Sequence, residues 1–135
     1  MHREIIAILR GVQPDEVESI GEVLIDCGIS TIEVPLNSPD AFDSISKLAR
    51  RFGTVAQVGA GTVLDEADVR RVANVGGKII VSRDTSPNVI QATKDANLAS
   101  YPGVSTPTDC FTALRNGADG LMFFPSSILG ISGFR

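Results

Sequence analysis

The stretch Thr-Ile-Glu-Val-Pro-Leu-Asn at residues 31–37 decides the fold class that this sequence predicts. Its β-branched and apolar residues indicate a strand that is buried on both faces, as in a parallel sheet. A carboxylate, Glu33, interrupts the apolar run, and Asn37 stands where the strand should end. Polar residues at the carboxyl ends of parallel strands are typical of the rim on which barrel folds build their sites.

Similar short strands recur about every 20 to 26 residues on both sides of this stretch and alternate with longer amphipathic segments, which is the rhythm of βα units. The predicted strands are Ile5–Leu9, Thr31–Leu36, Ala56–Gly59, Lys78–Ser82, Ala99–Pro102 and Gly120–Phe124. Helices should fill the gaps, and three of them have N-cap residues that the sequence predicts at Asp65, Ser86 and Thr106.

Two α/β folds accept this rhythm, an open doubly wound sheet and a (β/α)8 TIM barrel. The length of 135 residues favours the sheet. The polar residues at or just beyond the strand ends favour the barrel, because they need one circular rim; they are Arg10, Glu33, Asn37, Thr62, Arg83, Ser105, Ser126 and Ser127. We expect an incomplete TIM barrel of about six parallel βα units in a single domain, residues 1–135, truncated within a helix that opens near Ser132.

Composition excludes several classes of function. The chain is 43% apolar and 21% charged, as in one ordinary globular domain, and its net charge of -4 offers no attraction to nucleic acid or to an anionic membrane surface. No apolar stretch approaches the ~20 residues that cross a bilayer, and the first residues lack a signal peptide's layout, so we expect a cytoplasmic protein. His2 is the single histidine, which leaves no metal site or Ser-His-Asp triad to predict, and no cofactor is expected. Cys27 and Cys110 are predicted to be buried thiols rather than a disulfide.

Two local features have more than one interpretation. Gly-Ala-Gly-Thr at residues 59–62 lacks the third glycine of a dinucleotide fingerprint, because Leu64 occupies that place, and by itself it indicates a tight βα turn. Glu33 in mid-strand is either a general acid/base with a raised pKa or a structural carboxylate paired with Arg10. Arg10 in turn either holds an anionic substrate or only satisfies that buried acid.

Five ordered motifs nevertheless resemble one family, the class I 2-dehydro-3-deoxy-phosphosugar-acid aldolases. They are Ala-Ile-Leu-Arg-Gly at 7–11, Ile-Glu-Val-Pro-Leu-Asn-Ser-Pro at 32–39, Gly-Ala-Gly-Thr-Val-Leu at 59–64, Pro-Gly-Val-Ser-Thr at 102–106 and Phe-Pro-Ser-Ser at 124–127. Asn37 and the Leu-Arg-Gly of the first strand look more like the 2-dehydro-3-deoxy-6-phosphogalactonate branch than the phosphogluconate branch. The resemblance covers the whole chain but only about two thirds of a family member.

The resemblance implies an aldehyde-lyase. Family members cleave a phosphorylated 2-keto-3-deoxy sugar acid into pyruvate and glyceraldehyde 3-phosphate through a Schiff base on a lysine of the sixth strand. By resemblance Glu33 is the acid/base, the pyruvate end is formed by Arg10, Thr62, Pro102 and Gly103, and Ser126 and Ser127 lie near the phosphate. The implied ligand is such a sugar acid or pyruvate, and the implied assembly is a homo-oligomer, a trimer in the family.

This sequence departs from the family in three places. Met122 stands where the resemblance requires the Schiff-base lysine, although as a residue in its own right it is an ordinary core methionine. Arg83 stands where the family tends to have the proline of Ser-Pro or Thr-Pro. The last third of a family member has no counterpart in this sequence. Its absence should leave strand edges open, so we expect a self-associating or partly disordered chain. The three lysines, Lys47, Lys78 and Lys94, are predicted to lie away from the rim.

We therefore expect an aldolase by descent that is inactive as written. The alternative is a non-catalytic remnant that binds pyruvate or a sugar acid through Arg10, Thr62 and Glu33. An unrelated doubly wound regulator would require all five motifs to be coincidences.

Overall fold

A computed structural model describes residues 3–134 of the chain, so His2 lies outside the described residues. Strands and helices alternate in the order that the hydrophobic pattern predicts. They are β1 (Ile6–Ile8), α1 (Val17–Asp26), β2 (Thr31–Pro35), α2 (Ala41–Phe52), β3 (Gln57–Gly61), α3 (Glu66–Asn74), β4 (Ile79–Val81), α4 (Pro87–Asp95), β5 (Ala99–Tyr101), β6 (Gly103–Val104), α5 (Pro107–Arg115), β7 (Met122–Phe123), α6 (Ser126–Leu129) and a 3-10 turn (Ile131–Phe134).

The strands pair in parallel and in chain order, β1-β2-β3-β4-β5, and β6 pairs in parallel with β7. Only Pro102 separates β5 from β6, because proline has no N–H to donate to a ladder. Its carbonyl still accepts a hydrogen bond from the Met122 N–H at 2.9 Å, so β5 and β6 occupy one strand position between β4 and β7. The sheet thus has six parallel strand positions, which confirms the predicted number of βα units.

Strand order separates the two folds that the rhythm allowed. A doubly wound sheet reverses its strand order at a switch point, whereas a TIM barrel adds each strand beside the previous one. The order here never reverses, so the chain has the architecture of a partial barrel with its helices on one side. The open-sheet alternative is wrong.

Alternate residues of each strand face the helices and form the core. Ile32 and Val34 of β2 pack there with Val58 and Ala60 of β3, against helix residues such as Ile45, Leu48, Val69 and Val72, all of them fully or almost fully buried. Burying an aliphatic side chain of this size stabilises the fold by about 1.5 to 3 kcal/mol. This side of the sheet holds the structure together and leaves the opposite side free for a site.

The helix starts agree with the sequence pattern. The side chains of Asp65, Ser86 and Thr106 each accept a hydrogen bond from the backbone N–H three residues later, at 2.8, 3.4 and 3.1 Å. Thr106 forms a full capping box, because the Asp109 carboxylate accepts the Thr106 N–H in return at 2.9 Å. The three predicted N-caps are confirmed.

Two local predictions are wrong. Ala60 and Gly61 belong to strand β3 rather than to a βα turn, since β3 runs two residues beyond Gly59, where the predicted strand ends. Cys27 is exposed instead of buried, because α1 ends at Asp26 and Cys27 caps it. Cys110 is half-buried, and neither cysteine forms a disulfide.

No helix within residues 3–134 is long and apolar enough to cross a membrane. The same residues contain no group of three or more histidine, cysteine or acidic side chains that could hold a metal ion.

Candidate functional site

The parallel register of the strands places Glu33 of β2 and Met122 of β7 on the same face of the sheet. Glu33 of β2 pairs with Gly59 of β3, and Gly103 of β6 pairs with Met122 of β7. Because side chains alternate along a strand, every second residue from these points projects away from the helices. We call this side the inner face; its residues include Ile8, Glu33, Gly59, Gly61, Ile79, Val81, Ala99, Tyr101, Gly103 and Met122.

Contacts across the inner face support this assignment. A methyl group added at Gly120, two residues before Met122, would lie 2.7 Å from the Tyr101 ring. The ring of Tyr101 therefore lies against Gly120, just before β7. Tyr101, the single tyrosine of the sequence, also lines a cavity at the amino ends of the strands.

Glu33 lies directly over Gly61 of the neighbouring strand. A methyl group at Gly61 would clash with both carboxylate oxygens of Glu33, so glycine at this point of β3 lets the carboxylate stay where it is. The Glu33 residue is 3% exposed. Gly61 of the Gly-Ala-Gly motif therefore makes room for a carboxylate, a reason that the motif alone does not reveal.

No described residue pairs directly with this carboxylate. The Oε2 atom of Glu33 is buried without a hydrogen-bond partner, and none of the ion pairs within residues 3–134 includes Glu33. Burial raises the pKa of Glu33 from 4.5 to about 7, and the positive charges of Arg10 and Arg83 oppose this rise only in part. This arrangement favours an acid/base over a paired structural carboxylate, since a group that titrates near neutrality both accepts and returns protons.

Two arginines flank the inner face at the carboxyl ends of their strands. Arg10 follows β1 and Arg83 follows β4, each two residues beyond an inner-face position. Both are exposed, and both act electrostatically on Glu33. The Arg83 guanidinium also lies over the Phe124 ring, with its Cζ atom 5.9 Å from the ring centroid. The predicted position of Arg10 near Glu33 agrees with this geometry, although the predicted direct ion pair is absent among the described residues.

The residues predicted for the pyruvate end lie at the same rim. Thr62 directly follows β3 in a left-handed conformation with φ 57°. Pro102 and Gly103 are buried, and the Gly103 carbonyl accepts a hydrogen bond from the Thr85 hydroxyl at 2.6 Å. A methyl group at Gly103 would clash with the Arg83 backbone carbonyl, so glycine lets β6 approach the segment after β4 closely. Thr85, which sequence patterns did not reveal, anchors that segment.

The two serines predicted near a phosphate follow β7. Ser126 and Ser127 open α6 and are exposed at the carboxyl end of the strand. Because the strands are parallel, the residues that follow them lie at the same end of the sheet, so both serines lie on the same rim as Arg10 and Thr62.

The three lysines interact elsewhere. The Lys47 Nζ donates to the Pro14 carbonyl at 3.0 Å and pairs with Asp43. The Lys94 Nζ donates to the Leu98 carbonyl and pairs with Asp119. Lys78 precedes β4 at the amino end of the sheet, where its Nζ donates to the Gly53 carbonyl at 3.2 Å.

A cavity of about 720 Å³ opens at the amino ends of the strands, next to Thr31, Gln57 and Lys78. It lies at the opposite end of the strands from Thr62 and the two arginines. Because barrel chemistry is built at the carboxyl ends, we assign the candidate site to the rim around Glu33 and not to this cavity.

Comparisons with known proteins agree with the geometry. The family model for KDPG and KHG aldolases matches residues 1–134. The probable 2-dehydro-3-deoxy-6-phosphogalactonate aldolase of Rhizobium meliloti (strain 1021) is 47% identical over 133 residues, which are 98% of this chain and 63% of that protein. The 2-dehydro-3-deoxy-6-phosphogalactonate aldolase of Escherichia coli (strain K12) is 40% identical over 126 residues, 93% of this chain and 62% of that protein.

A solved structure described as native KDPGal superposes with a TM-score of 0.93 at 38% identity, over 98% of this chain and 66% of the other. This agreement confirms the partial TIM barrel. The chain spans slightly less than two thirds of the length of these relatives.

Proposed function

The chain belongs to the KDPG and KHG aldolase family, and from this premise we propose that it carries the site of a 2-dehydro-3-deoxy-6-phosphogalactonate aldolase whose nucleophile has been lost. The reaction would cleave the sugar acid to pyruvate and glyceraldehyde 3-phosphate. The observation that carries the proposal is the inner face itself, on which buried Glu33 and half-buried Met122 project to the same side of the sheet.

In a chain with lysine at position 122, the amine would attack the keto carbon of the substrate and lose water to form an iminium. The C3–C4 bond would then break, its electron pair passing to the iminium to give an enamine. A base must take the proton of the C4 hydroxyl as glyceraldehyde 3-phosphate leaves, and an acid must return a proton to C3 before hydrolysis releases pyruvate. We assign both transfers to Glu33, because its pKa of about 7 suits a group that alternates between the two states.

Met122 blocks the first step. A thioether has no N–H bonds to lose and cannot condense with a ketone. The lysines of the chain do not replace it, since Lys47, Lys78 and Lys94 donate to the carbonyls of Pro14, Gly53 and Leu98. We therefore propose that this chain has negligible retro-aldol activity.

Borohydride reduction in the presence of pyruvate tests this proposal, because it traps any imine as a stable amine. The unaltered chain should give no adduct, and the Met122→Lys variant should give one adduct that maps to position 122. Met122→Leu serves as the matched control, since it keeps an apolar side chain of similar volume. A pyruvate adduct on Lys47, Lys78 or Lys94 of the unaltered chain, or no adduct in a folded Met122→Lys variant, would contradict the assignment.

Reversible binding without turnover is the second candidate function. It is favoured by one observation: two arginines lie near a carboxyl group that is buried and unpartnered, and Thr62 lies at the same rim. Calorimetry with pyruvate measures it directly: millimolar or tighter binding without cleavage supports this function, and the absence of heat argues against it.

The remaining expectations are part of the same proposal. Pro102 and Gly103 would shape the pyruvate end together with Arg10, and Ser126 and Ser127 would face the phosphate. We expect a cytoplasmic protein that forms one aldolase-type domain and assembles as a homo-oligomer, the trimer that the family resemblance implies. Sedimentation velocity measures the assembly state.

A further inference from the structure

Arg83 is the one rim residue whose charge the family pattern does not account for. It follows inner-face residue Val81 by two positions and is exposed at the carboxyl end of β4. Its guanidinium has neither a hydrogen bond nor an ion pair with any residue of the described chain. Its recorded interactions are the Phe124 ring at 5.9 Å and the electrostatic effect on Glu33.

The charges around Glu33 are not balanced. Arg10 and Arg83 bring two permanent positive charges to the rim, and Glu33 is their acidic neighbour on the inner face. The other strands contribute no further charge there, since β3 presents Gly61, β5 presents Tyr101 and β7 presents Met122. The two charges that act on Glu33 are both positive, so an anion bound between Arg10 and Arg83 would be attracted to them, and burial keeps Glu33 itself largely protonated below pH 7.

We propose that Arg83 binds the carboxylate of a small 2-oxo acid at this rim, together with Arg10, and thereby replaces covalent capture of the ligand by ionic capture. The inference rests on the proposed function, which supplies the ligand class. A guanidinium presents paired N–H donors that match a carboxylate. The Phe124 ring restricts the guanidinium before the ligand arrives, which reduces the entropy lost on binding.

The buried carboxyl group explains why the ligand should be a 2-oxo acid and not any carboxylate. Glu33 Oε2 is buried without a partner, and the residue is 3% exposed. A protonated carboxyl group in this position has a hydrogen to donate, and the carbonyl next to a 2-oxo acid's carboxylate is an acceptor of suitable chemistry. A ligand with both groups satisfies the arginines and Glu33 at once.

Ligand-observed NMR with pyruvate on the 135-residue chain tests the proposal. Arg83→Gln should weaken pyruvate binding by about 10- to 100-fold, as expected for hydrogen bonds to a charged group. Arg115→Gln is the matched control, because Arg115 lies over the Phe111 ring at 5.7 Å on α5 and is equally exposed. It removes the same charge and the same kind of ring contact at a distance from the rim, so it should leave binding unchanged.

Three results would overturn the inference: no pyruvate binding to the unaltered chain, unchanged binding in Arg83→Gln, or equal losses in Arg83→Gln and Arg115→Gln. Acetate, which lacks the keto group, should bind more weakly than pyruvate, and equal binding would refute the 2-oxo acid assignment. Arg83→Met, whose stem can still contact Phe124, provides a second variant if Arg83→Gln does not fold. Borohydride trapping on Met122→Lys does not depend on Arg83, so failure of this inference and failure of the proposed function are distinguishable.

Discussion

Glu33→Gln should change how the stability of the chain depends on pH. Glutamine has nearly the same shape as glutamate and stays neutral at every pH of the experiment. In the folded chain burial raises the pKa of Glu33 from 4.5 to about 7, so between these values the folded state holds a proton that the unfolded state has lost. The contribution of the neutral carboxyl group is therefore fully present below pH 4.5 and is lost as pH rises through about 7.

The size of this loss follows from the shift. A rise from 4.5 to about 7 corresponds to about 3 kcal/mol, at ~1.4 kcal/mol per pH unit. The free energy of unfolding of Glu33→Gln minus that of the unaltered chain should accordingly increase by about 3 kcal/mol between pH 4.5 and pH 8. Any constant offset from the new amide does not alter this difference in slope, and His2 is present in both chains and cancels.

Urea unfolding followed by circular dichroism at several pH values between 4.5 and 8 measures the difference. Glu66→Gln is the charge-matched control, because Glu66 is exposed in the first turn of α3. A Glu33→Gln profile parallel to that of the unaltered chain, within about 1 kcal/mol, would refute the claim that this carboxyl group is buried without a direct partner.

Further predictions concern the glycines of β3 and one helix cap. Gly59→Ala should destabilise the chain by about 3 kcal/mol or prevent folding, because the added methyl group meets the Ile79 backbone carbonyl, which cannot move away; wild-type stability in urea would contradict this. Gly61→Ala should destabilise the chain less, since the nearest atoms to its methyl group belong to the Glu33 carboxylate, which can move away. The displaced carboxylate becomes solvated, so the pKa of Glu33, measured by 13C NMR, should fall below 7. Thr106→Ala should cost about 1 kcal/mol through loss of the N-cap of α5, visible as a lower melting temperature; an unchanged melting temperature would show that the cap contributes nothing.

Strand positions could be predicted from sequence because β-branched runs such as Thr31–Pro35 carry a local signal. The end of β3 could not, because glycines are poor strand formers and the pattern indicated a turn. Gly59 makes room for the Ile79 backbone on one neighbouring strand and Gly61 for the Glu33 side chain on the other, and no local pattern contains these long-range contacts. Cys27 was misplaced by one helix boundary, the least certain feature of any sequence pattern.

The candidate site could be predicted in outline and not in its electrostatics. Strand ends placed Arg10, Thr62 and Glu33 on one rim, but sequence left Glu33 equally open to pairing or to acid/base chemistry. The choice depended on where the Arg10 guanidinium lies relative to the carboxylate, which side-chain packing across two strands determines. The interaction of Arg83 with Phe124 joins two strands far apart in the chain and likewise had no local signal.

The shared inner face of Glu33 and Met122 can be tested most directly with methyl-labelled methionine. The sequence has only two methionines, so the spectrum contains one resonance from Met122 and one internal reference from Met1. The account predicts that the Met122 methyl shift titrates with the pKa of Glu33, about 7, and that Glu33→Gln abolishes this titration. A Met122 resonance that stays fixed while the Glu33 carboxyl carbon titrates would place the two side chains apart and contradict the account.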